Sequence, residues 1–70
     1  MRIVLKNSNM LRQEIAKLGL TQQQFSDKVS VSPKYLSAIL CEHKNPSPKL
    51  AKAIAIQLEL SPSDLFYYTA

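Results

Sequence analysis

Three Ser-Pro dipeptides, Ser32-Pro33, Ser47-Pro48 and Ser61-Pro62, each stand immediately before an apolar run. A serine there accepts a hydrogen bond from a backbone N–H that the first turn of a helix leaves unpaired, and a proline at the first helical position gives up a donor the helix cannot use. Each dipeptide therefore predicts a helix start. Thr21, with Gln24 following at capping-box spacing, predicts another. The only glycine, Gly19, lies just ahead of Thr21, where the preceding helix calls for a left-handed terminal residue. A chain punctuated this way folds into short helices joined by tight turns.

Apolar spacing fills in the helices between these marks, at a period of about 3.6 residues. The first runs roughly from Ser8 to Leu18, with Leu11, Ile15 and Leu18 on one face. The second covers Gln22 to Val29, with Phe25 and Val29 one turn apart, and the third Pro33 to Leu40, with Leu36, Ile39 and Leu40 together. Pro48 to Leu58 carries the most regular stripe, Leu50, Ala51, Ile54, Ala55 and Leu58, and is expected to be the central buried helix. Pro62 to Phe66 reads as one closing turn with Leu65 and Phe66 turned inward and Asp64 near its positive end. Ile3-Val4-Leu5, between Arg2 and Lys6, is too short and unbroken to assign and is expected as an extended arm. The expected division is an arm over 1–7, a domain over 8–66 and a tail over 67–70.

With 70 residues, 46% of them apolar, the chain has room for one domain. The entropy of ordering it requires that nearly all its apolar groups be buried, which leaves little to line a substrate cavity and argues against an enzyme. One cysteine forms no internal disulfide, and the N-terminus has no signal-peptide pattern, so the expected setting is reducing and cytoplasmic. No apolar run approaches the roughly 20 residues of a membrane span. The net charge of +4 favours a polyanionic partner.

The second and third helices are separated by a turn of only a few residues, and the third has a polar outer face. That is the pattern of a helix-turn-helix, whose second helix fits the major groove of B-DNA while the first lies across the backbone. The residues also resemble a known family. Leu18-Gly19-Leu20-Thr21-Gln22-Gln23-Gln24-Phe25-Ser26, Val31-Ser32, Ile39, Asn45-Pro46-Ser47 and Leu60-Ser61-Pro62-Ser63-Asp64-Leu65-Phe66 are similar to the Cro and lambda-repressor type of DNA-binding domain. The likeness covers about Ser8 to Phe66. It implies an all-α, compact five-helix fold and a sequence-specific regulator of transcription that binds double-stranded DNA without a cofactor.

By that resemblance, Gln22 hydrogen-bonds a phosphate at the start of the second helix; the plainer reading is a polar residue in a capped first turn. With the core face of the third helix assigned, a rotation of about 100° per residue turns Lys34, Ser37, Ala38 and Cys41 outward, with Pro33 and Tyr35 at the flanks. Pro33, Lys34, Ser37 and Ala38 match the family's base-reading positions. Lys34 can donate to guanine O6 and N7, Ser37 suits either kind of base edge and Ala38 can meet a thymine methyl. Lys34 suits a phosphate contact or plain solvation equally well. Ser32, Tyr35, His43, Lys44 and Asn45 are the further phosphate candidates, the last three in the loop that family members lay along the backbone. From Val31 to Lys52 there are four lysines, Lys34, Lys44, Lys49 and Lys52, against one acid, Glu42. Lys52 reads equally as a solvated surface residue.

Cys41 and His43 invite a metal reading that fails on ligand count, since a structural zinc site takes four ligands and a catalytic one three. As a nucleophile pair they lack an orienting third group. Four features depart from the family pattern. Ser26 replaces a small residue and is harmless if its hydroxyl finds a backbone acceptor. Ser30 and Glu42 stand where glycine is common, so rebuilding of the turn or the loop is expected if either must adopt positive φ. Ile15 and Leu40 replace an Arg and Glu that often pair, and a contact between the two apolar side chains is expected.

The functional reading is a phage- or mobile-element-type repressor acting as a homodimer on DNA, because a single third helix reads too few base pairs for genomic specificity. Its dimer surfaces are expected at Ile3 to Leu5 and Leu65 to Tyr68. The rival readings are a protein-interaction module on the same fold, an antirepressor or adaptor with a regulatory protein partner, and an antitoxin that represses its own operon.

Overall fold

The computed structural model describes residues 2–69; Met1 and Ala70, the outermost residues of the expected arm and tail, lie outside them. The elements in chain order are β1 (Arg2–Leu5), α1 (Ser8–Lys17), α2 (Gln22–Lys28), α3 (Pro33–Leu40), α4 (Pro48–Gln57), α5 (Pro62–Leu65) and β2 (Phe66–Thr69).

Side chains cap the helices where the sequence places starts. The Ser32 and Ser47 hydroxyls accept from the N–H groups of Tyr35 and Leu50 at 3.1 and 3.2 Å. Thr21 and Gln24 close a reciprocal box, at 3.1 Å to the threonine hydroxyl and 3.0 Å to the glutamine carbonyl. Asn7 caps α1 through the Met10 N–H at 3.1 Å. At α5 the roles change: the Ser61 hydroxyl lies 3.0 Å from that of Ser63, and the Asp64 carboxylate accepts the Ser61 N–H at 3.0 Å. Asp64 thereby places its charge at the positive end of the turn.

The helix ends rest on left-handed residues. Ser30 and Glu42 both adopt positive φ, 61° and 62°, the condition under which rebuilding was expected, and backbone hydrogen bonds hold each of them there. After α2, the Val31 N–H donates to the Ser26 carbonyl at 3.0 Å and the Ser30 N–H to the Asp27 carbonyl at 3.3 Å. After α3, the His43 N–H reaches Ala38 at 2.8 Å and the Glu42 N–H reaches Ile39 at 3.0 Å. These are the paired bonds of a Schellman motif, and they satisfy the last carbonyls without glycine. Glu59, at φ 58°, does the same after α4. Gly19, at φ 75°, takes the left-handed position after α1 as its placement implies.

The core draws on every helix: Leu11 and Ile15, Phe25 and Val29, Leu36, Ile39 and Leu40, Leu50, Ala51, Ile54, Ala55 and Leu58, and Leu65. Ile15 and Leu40, the expected apolar replacement for an ion pair, are both buried in it. Ser26 is buried too, with its hydroxyl donating to the Gln23 carbonyl at 2.6 Å, so the polar atom is satisfied. Leu18 departs from its assigned face. It is the C-cap residue after Lys17 and is 45% exposed.

The five expected helices are joined by a two-stranded antiparallel sheet, so all-α is too narrow a description. Arg2 pairs with Thr69, Ile3 with Tyr68, Val4 with Tyr67 and Leu5 with Phe66. The Lys6 N–H extends the ladder to the Leu65 carbonyl at 2.9 Å. Opposed residues of an antiparallel pair share a face. Ile3, Leu5 and Phe66 are buried against the helices, while Tyr68 on the same face remains 45% exposed, and on the other face Arg2, Tyr67 and Thr69 are exposed and Val4 is half-buried. The segment expected as a free arm is thus a core strand, held by the segment expected as a tail.

Candidate nucleic-acid interface

Helices α2 and α3 pack directly on each other, joined by the Schellman turn at Ser30. Burial of Leu36, Ile39 and Leu40 fixes the rotation of α3. The opposite face then carries Pro33, Lys34 and Ser37, all exposed, and half-buried Ala38. Pro33 occupies the first helical position, so the chain enters α3 with φ fixed by its ring, and Lys34 projects from a defined backbone. The Ser32 hydroxyl accepts the Tyr35 N–H and keeps its own O–H as a donor.

The loop after α3 folds back along that helix. The N–H groups of His43 and Lys44 converge on the Ala38 carbonyl at 2.8 and 3.4 Å. The Lys44 ammonium stands 5.7 Å from the centroid of the Tyr35 ring. Two of the phosphate candidates, Tyr35 and Lys44, are therefore brought into contact, and a third, His43, is tied to α3 through its backbone. Asn45 follows them, exposed, ahead of buried Pro46. Gln22 sits apart on α2, half-buried at the first position of that helix behind the Thr21 cap.

Sequence reasoning passed over one cation here. The Arg12 guanidinium reaches across from α1 to Cys41, at 4.0 Å from its sulfur, at the C-cap of α3. The residues are 29 apart in the chain, so only the packing of α1 on α3 brings them together. Cys41 and His43 are both exposed, and among the described residues no group of three or more His, Cys, Asp or Glu side chains is placed to hold a metal ion. No helix among the described residues is long and apolar enough to cross a membrane.

A capped helix, a tight turn and a second helix with one buried and one polar face are the geometry of a helix-turn-helix. The helix-turn-helix family model, of the Cro and lambda-repressor type, matches residues 11–65. The chain belongs to that family, a family of DNA-binding regulators of transcription. No curated protein matches it.

Proposed function

We propose that the protein is a sequence-specific repressor of the phage or mobile-element type, and that it binds its operator as a homodimer. The observation that carries the reading is the outer face of α3. Pro33, Lys34 and Ser37 are exposed on a helix whose other face is fully buried, and the Tyr35 and Lys44 contact lies at its flank. In this reading Pro33, Lys34, Ser37 and Ala38 meet base edges. Gln22, Ser32, Tyr35, His43, Lys44 and Asn45 hold the phosphates on either side. Repression follows from the likeness to Cro and lambda repressor, with an occupied operator excluding other proteins.

The dimer surface needs revision in light of the fold. Ile3 and Leu5 are buried and offer nothing to a second subunit, whereas Tyr67 and Tyr68 are 57% and 45% exposed on β2. We assign the dimer contact to that strand. Burial of Ile3 and Leu5 also leaves that segment unavailable to the partner of a protein-interaction module. The test is selection of binding sites from random duplex DNA by the purified chain. The expected product is a two-fold repeat with half-sites one turn, about 34 Å, apart. A single unrepeated half-site at saturating protein rejects the dimer, and failure to enrich any sequence rejects specific recognition.

A further inference from the structure

A groove of about 360 Å³ lies beside the turn of the helix-turn-helix, and none of the residues assigned to DNA lines it. One wall is the end of α2 and its turn, residues 28–31; the other is the start of α4, chiefly Lys49, Leu50 and Ala53. Its floor is apolar. Val29 and Leu50 belong to the core, and Val31 and Ala53 pack half-buried against it. Its rim is cationic, with an exposed lysine on each wall, Lys28 and Lys49. Among the described residues, no carboxylate lines the groove and neither lysine has an ion-pair partner. The volume falls at the small end of the range of about 300 to 1,000 Å³ typical of small-molecule sites.

An apolar floor selects hydrocarbon and a rim of unpaired cations selects an anion, so the complementary ligand is both. We propose that this groove binds a small amphipathic carboxylate, with its chain on Val29, Val31, Leu50 and Ala53 and its head group against Lys28 and Lys49. Occupation bridges the turn to α4 and gives a small molecule a hold on the element that orients α3. Binding in the groove needs no operator and is measured without DNA.

The test is a titration of the isotope-labelled full chain with octanoate, followed by the shifts of its backbone amides, beside octanol as a neutral chain of the same length. Saturable shifts confined to residues 28–31 and 47–53 are expected. Octanol is expected to bind about tenfold more weakly and Lys28→Gln to weaken octanoate about threefold, in keeping with exposed charge pairs. Ala53→Leu fills the groove and is expected to abolish the shifts. Shifts that spread over the chain or never saturate overturn the proposal, as does equal binding of octanol or an unchanged affinity in Lys28→Gln. Lys28 is exposed and its replacement leaves the core intact, so these two comparisons decide the matter even if Ala53→Leu fails to fold.

Discussion

The Lys44 ammonium lies over the Tyr35 ring, 5.7 Å from its centroid, and so joins the loop beyond α3 to the first turn of that helix. A cation over an aromatic face at an exposed site is worth about 0.5 to 1 kcal/mol, enough to bias the lysine and not enough to immobilise it. The backbone supplies the rest, since the N–H groups of His43 and Lys44 share the Ala38 carbonyl. The loop is thus shaped before any partner arrives.

Lys44→Ala is expected to weaken DNA binding about equally on all sequences. It should also lower the slope of log K against log salt by roughly 1 per subunit, because one phosphate contact is lost. Tyr35→Leu keeps the charge and loses its support, so the slope should hold while affinity falls by up to about fivefold. Salt titrations on two unrelated duplexes check both. A sequence-dependent loss in Lys44→Ala would place the lysine on a base instead.

Three helices end on left-handed residues that are not glycine, Ser30, Glu42 and Glu59. A side chain in that conformation costs roughly 1 to 2 kcal/mol, and part of the relief is returned as the greater freedom of glycine in the unfolded chain. Ser30→Gly, Glu42→Gly and Glu59→Gly are each expected to stabilise the fold by about 0.5 to 1 kcal/mol, a rise of several degrees in Tm. Calorimetry of the single variants measures it, and a fall in Tm would mean that the side chains make contacts outweighing the strain.

Strand β1 closes the core. Leu5 is buried opposite Phe66, and Ile3 is buried beside it. Leu5→Ala and Ile3→Ala are each expected to destabilise by about 2 to 5 kcal/mol, the ordinary cost of truncating a buried aliphatic side chain. Urea denaturation would show it as a lower midpoint at unchanged m. A change below about 0.5 kcal/mol would restore the free arm.

That strand marks where the sequence stopped being legible. Ser32, Ser47 and Thr21 announce their helices through bonds closed within three residues, and the stripe of α4 repeats locally, so both could be read without knowing the fold. Arg2 and Thr69 pair across nearly the whole chain, and no turn signal joins them. The same limit hid Arg12, whose neighbour Cys41 is set by helix packing. Glu59 escaped for another reason: a left-handed glutamate carries no compositional mark, and only the bonds of its Schellman turn reveal it. The exposed face of α3 was legible because the buried face defines it.

Ile15 and Leu40 share the core, so a charge at either alone is stranded. Leu40→Glu is expected to cost about 3 kcal/mol or more, and Ile15→Arg combined with it should recover part of that loss. A double-mutant cycle by chemical denaturation reads the coupling. Strict additivity would show that the two sites do not meet.

The central claim is that α3 reads bases with its outward face, and Lys34 tests it most directly. The measurement is the affinity of Lys34→Ala for the selected operator and for a scrambled duplex, at two salt concentrations. A loss of about 1 to 3 kcal/mol on the operator is predicted, with much less on scrambled DNA and a relaxed preference at one position of each half-site. An equal loss on both duplexes would contradict this and assign Lys34 to the phosphates.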